Sequence, residues 1–166
     1  MKVRAYVLFV AVALFTVSAG TKNAKPTVGS NPGDLAPRIE FLGNESDFSF
    51  QNHSGRYTLL NFWAAYDAES RVRNVQLWNE INKLGSSKIA MYSISLDEKE
   101  SIFAETVKVD KLEGTKQFHE ELGSKSELFG KYNLQKGFRN FLIDDKGVII
   151  AANIAPKDLA KVLKMS

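Results

Sequence analysis

Residues 57–64, Tyr-Thr-Leu-Leu-Asn-Phe-Trp-Ala, form an almost continuous apolar, β-prone run, and the hydrophobic period changes directly after it. Such a run suits a strand buried on both faces of a mixed sheet. From Asp67 onward, Val72, Val75, Trp78, Ile81 and Leu84 recur every three residues, with Leu77 beside them and Gly85 after them. That spacing predicts a helix with a core-facing stripe from Val72 to Leu84, ended by glycine. Asp67 is a good N-cap: its carboxylate accepts from free first-turn amides, and its charge suits the helix dipole. Residues 89–96 form a second apolar run and predict the next buried strand.

The flanking patterns extend this unit. Residues 38–42 and 47–50 alternate polar and apolar, which predicts two short strands as an N-terminal β extension. Residues 97–109 read as a helix with Ile102, Phe103, Thr106 and Val107 on one side, and 110–125 as irregular and polar. Leu128, Phe129 and Tyr132 suggest a short helix. Residues 138–143 and 148–152 read as an antiparallel hairpin around Asp144-Asp145-Lys146-Gly147. Pro156 opens a last helix carrying Leu159, Val162 and Leu163. The expected fold is α/β, a central mixed sheet flanked by helices.

The N-terminus has a different character. Lys2 and Arg4 precede an apolar run from Ala5 to Val17, and Val17-Ser18-Ala19-Gly20 supplies small residues for a cut after Ala19. This is the plan of a secretory signal peptide. The run is shorter than the roughly 20 residues a spanning helix prefers, which favours cleavage over an anchor at residues 5–19. The expected organisation is a signal at 1–19, a flexible tether at 20–36 rich in Gly, Ser, Asn and Pro, and one domain at 37–166. The mature chain is expected in the periplasm or outside the cell. Contact with a membrane is expected only if the first segment stays uncleaved. Loss of Lys2 and Arg4 lowers the formal charge from +3 to +1. No basic stripe with interleaved aromatics is present, so nucleic acid is not an expected partner.

Export would permit disulfides, yet the chain has no cysteine. Its two histidines, His53 and His119, lie far apart in sequence, so no metal site and no cofactor is expected. Asn44-Glu45-Ser46 and Asn52-His53-Ser54 match the N-glycosylation pattern.

Gly33-Asp34-Leu35-Ala36-Pro37, followed by residues 55–66, resembles the thioredoxin-like TlpA/ResA group of exported disulfide reductases. Residues 93–97, 128–134 and 141–149 resemble that group's second core strand, short helix and closing hairpin. The resemblance spans roughly residues 33–164 and implies a thioredoxin-like fold. It also implies that the two family cysteines align with Asp67 and Ser70. Arg73 stands where the family often has an acid, Val75 where a proline follows, and Phe138 where a cis-proline precedes the hairpin strand. A cis bond before a non-proline residue costs about 3–4 kcal/mol, so a trans bond and a reshaped loop are expected at Phe138.

Thiol–disulfide exchange needs a thiolate attacking a disulfide sulfur, and neither a carboxylate nor a hydroxyl forms that mixed disulfide. The expected role is therefore non-redox: a module binding another protein or peptide of the cell envelope through the former active-site face. The candidate residues of that face are Trp63, Tyr66, Asp67, Ser70, Phe138 and Arg139. Two other readings remain open. One is an enzyme of unknown reaction using Asp67, Ser70 or Arg139, although nothing in the sequence ties a histidine base to Ser70. The other is a structural subunit of an envelope assembly.

Overall fold

The computed structural model describes residues 25–40, 50, 55–84 and 88–165. The signal segment, most of the two N-terminal strands, both glycosylation motifs and His53 lie outside the described residues. Among the described residues the strands and α-helices follow in the order β1 (Tyr57–Trp63), α1 (Ala68–Leu84), β2 (Ile89–Ser95), α2 (Glu100–Val109), β3 (Gln117–His119), α3 (Glu127–Lys131), β4 (Asn140–Ile143), β5 (Ile149–Ala152) and α4 (Leu159–Met165). The sheet runs β3-β2-β1-β4-β5. β1 is parallel to β2 and antiparallel to β4; β3 joins β2 in parallel and β5 joins β4 antiparallel. This is the mixed, helix-flanked sheet that the sequence predicts.

Side-chain alternation sorts the core into two layers. Leu60 and Phe62 of β1, Tyr92 and Ile94 of β2, and Phe141 and Ile143 of β4 pack with Leu128 and Tyr132 on one face. Leu59, Ile89, Met91 and Leu142 point the other way, onto Leu77 and Ile81 of α1 and Leu159 of α4. Trp63 extends that second layer to Val107 and Leu112 beside α2.

Several local expectations are corrected. The buried line of α1 is Ser70, Asn74, Leu77 and Ile81, while Val72 is 53% exposed and Leu84 is 40% exposed. The helix expected from Asp97 begins at Glu100, and Ile102 faces outward. The irregular stretch 110–125 contains β3, whose three residues are too few to set a pattern apart from their polar surroundings and which pairs with β2. The hairpin strands are shorter than expected, β4 starting at Asn140 and β5 at Ile149.

Residues 27–36 fold onto the sheet. Leu35 N donates to Thr27 O at 2.9 Å, Gly33 N to Ile149 O at 2.8 Å, and Ile149 N to Asp34 O at 2.8 Å. This arm pairs backbone groups at the outer edge of β5 that would otherwise template association. Pro37, the expected domain start, lies at the end of this docked arm. No helix among the described residues is long and apolar enough to cross a membrane.

Candidate functional site

The β1–α1 loop is held from below by Asp97. This carboxylate is 2% exposed and accepts Ala65 N at 3.0 and 2.9 Å through its two oxygens. It also accepts Ser95 Oγ at 2.7 Å. With Ala65 pinned, Tyr66 turns outward, 70% exposed. Partial burial and, after it, the nearby carboxylates of Asp97, Asp67 and Glu98 hold the Tyr66 phenol above the usual tyrosine range. Its ring meets Phe138, with centroids 6.1 Å apart.

Asp67 caps α1 as expected, its Oδ1 accepting Ser70 N at 2.7 Å. The Ser70 hydroxyl accepts Ala64 N at 3.3 Å and donates to Asp67 O at 3.1 Å. Ser70 is fully buried, so its oxygen is bound to the backbone on both sides and offers nothing to a substrate. His119 bonds Asp97 O at 2.6 Å and stacks on Phe103.

Two departures from the family pattern meet each other. Arg73 Nη2 donates to Phe138 O at 2.6 Å, fastening the loop before β4 to α1, and Arg73 Nη1 lies 3.4 Å from Glu69. The bond before Phe138 is trans. Gly137 sits at φ 112° and ψ 157°, a conformation reserved in practice for glycine.

A groove of about 1130 Å³ opens beside this clasp. Asp67, Glu69, Val72 and Arg73 of α1 form one wall, and Lys136, Phe138 and Arg139 the other. Residues 153–156 close its end, held by Asn140, which donates to Ile154 O at 3.0 Å and accepts Ile154 N at 2.8 Å.

Of the six predicted residues, four lie together at the surface: Asp67, Phe138 and Arg139 line the groove, and Tyr66 rests against Phe138. Trp63 and Ser70 are corrected to the interior, each with no exposed surface. Trp63 ends a strand buried on both faces, and Ser70 faces the sheet from the first turn of α1.

Sequence reasoning passes over a buried polar ladder behind α1. Asn74 Oδ1 accepts Asn61 Nδ2 at 3.0 Å and Ser93 Oγ at 2.7 Å, and Asn74 Nδ2 donates to Gln117 Oε1 at 3.2 Å. Asn61, Ser93 and Asn140 stand side by side across the sheet centre. The available signal is a polar residue set within each apolar strand.

Sheet order, the helix springing from the end of β1, and a reactive-site position filled by carboxylate and buried hydroxyl define a thioredoxin fold without thiol chemistry. The solved structures agree on the fold. A thioredoxin-like protein from Parabacteroides distasonis is 68% identical, with TM-score 0.77, over 84% of this chain and 99% of that one. A thiol-disulfide oxidoreductase from Bacteroides fragilis is 28% identical, with TM-score 0.68, over 80% of this chain and 98% of that one. A thiol:disulfide interchange protein from Bacteroides sp. shares the fold at 22% identity and TM-score 0.65, over 84% and 91% of the two chains. No protein-family model and no curated protein matches the chain. The chain belongs to the thioredoxin-like family, as a divergent member without cysteine.

Proposed function

We propose that this chain is an exported docking module that binds another protein or peptide of the cell envelope through the face where redox relatives carry their thiols. Export rests on the basic, apolar and small-residue order of residues 1–20. On this reading the signal at 1–19 is removed and the domain at 37–166 carries the binding face.

The observation that carries the reading is the pairing of exposed Tyr66 with Phe138 at the rim of the groove. Aromatic side chains with a polar tip supply large contact area at low entropic cost, which is why interfaces favour them. The burial of Ser70 and the capping role of Asp67 weigh against the enzymatic alternative.

The test uses the chain from residue 20 onward, immobilised and exposed to envelope extract of its source. The expected result is a reproducible partner set retained by wild type and lost from the Tyr66→Ala/Phe138→Ala double variant. Identical sets from both proteins would place docking on another surface.

A further inference from the structure

Charge is distributed unevenly across the groove. Of its acids, Asp67 gives one oxygen to Ser70 N, and exposed Glu69 lies 3.4 Å from Arg73 Nη1. Of its bases, Arg73 is fastened to Phe138 O and Glu69 through its Nη groups, with its Nε buried and unpaired. Lys136 and Arg139 line the same groove, and neither has a carboxylate partner among the described residues. Arg139 is half-buried, with Nε enclosed and without a hydrogen-bond partner. Its guanidinium lies over the Phe141 ring at 5.3 Å, which orients the planar fork without using its donors. The outer nitrogens of that guanidinium carry no hydrogen bond to the described residues, and the acceptor that matches such a pair of donors is a carboxylate.

We propose that the groove beside α1 selects an extended peptide segment bearing side-chain carboxylates, which Lys136 and Arg139 hold while Tyr66 and Phe138 take a neighbouring apolar side chain. This rests on the docking reading and names the chemistry of its partner. Lys136 supplies an exposed point charge, and Arg139 a guanidinium oriented by the Phe141 ring.

The test compares three acetylated and amidated peptides, Ala-Glu-Phe-Glu-Ala, Ala-Gln-Phe-Gln-Ala and Ala-Lys-Phe-Lys-Ala, titrated into nitrogen-15-labelled protein. The expected result is binding of the glutamate peptide at least tenfold tighter than the glutamine peptide, with shifts of the Arg139 Nε–Hε signal and the Phe138 amide. That preference should weaken with salt as screening shortens. It should disappear in Lys136→Gln, an exposed substitution that leaves the core untouched, and in Arg139→Gln. Equal binding of the glutamate and glutamine peptides, a stationary Arg139 signal, or no binding of any peptide would overturn the proposal. If partner capture still depends on Tyr66 and Phe138 in that event, the docking face stands and only its acidic preference falls. If the glutamate peptide binds as expected but capture ignores Tyr66 and Phe138, the groove assignment stands and the aromatic face is wrong.

Discussion

Truncating Asn74 to alanine tests whether the underside of the site is held by polar contacts. Asn74 is 1% exposed and serves Asn61, Ser93 and Gln117 at once. Its removal strands two fully buried donors, Asn61 Nδ2 and Ser93 Oγ, while half-buried Gln117 has access to water. Each buried polar group left unpaired costs roughly 1–3 kcal/mol, so the variant should lose about 2–6 kcal/mol. That is a large share of the roughly 5–15 kcal/mol typical of a domain. At roughly 3–5 °C per kcal/mol, a loss near the middle of this range lowers the melting temperature by about 12–20 °C. Urea unfolding followed by circular dichroism and by tryptophan fluorescence measures the loss. Pairing Asn74→Ala with Ser93→Ala adds a check, because partners in one network destabilise by less together than separately. A loss below about 1 kcal/mol, with additive single changes, would refute the ladder as the anchor of α1.

Three further outcomes follow from single residues. Gly137→Ala should cost about 1–3 kcal/mol in a thermal melt, all of it backbone strain, since an added Cβ meets nothing within 4 Å. Arg73→Met should release the Phe138 carbonyl and speed hydrogen exchange at residues 138–140 by about tenfold, at a stability cost of about 1–2 kcal/mol. Tyr132, buried with its hydroxyl on Pro37 O, is held far above the ordinary tyrosine value of 10.0 by desolvation. The unfolded chain therefore loses this proton near pH 10 while the native state keeps it, so stability falls as pH rises beyond that point. At about pH 11 this group alone should remove about 1.4 kcal/mol, and urea titrations at neutral and alkaline pH on wild type and Tyr132→Phe isolate it.

The fold is legible where local patterns are strong. The unbroken run of β1, the capping aspartate and the Asp144–Gly147 turn each encode their geometry within a few residues. The α1 stripe misleads because three-residue steps drift on a helix of 100° per residue: Val72 and Ile81 fall about 180° apart. Ser70, Asn74, Leu77 and Ile81 share one narrow face, yet two of them are polar, and that hides the line from a hydrophobic search. What satisfies Asn74 comes from β1, β2 and β3, so the ladder exists only in three dimensions.

The site divides in the same way. Asp67 and Phe138 stand out because they replace residues of the family pattern, and Tyr66 because it keeps the aromatic that precedes them. Lys136 and the segment 153–156 carry no such mark; Asn140 holds Ile154 at the groove, and Lys136 lines it from the turn before Gly137. Arg73 is visible as a departure from the family pattern, but its grip on the Phe138 carbonyl depends on how α1 lies against the β4 approach.

The most direct test of a thioredoxin scaffold emptied of thiol chemistry is insulin reduction by the purified domain, with dithiothreitol as electron source. Precipitation of the insulin B chain should proceed at the rate of dithiothreitol alone, at any concentration of the protein. An acceleration proportional to protein, in material free of other reductases, would contradict the account.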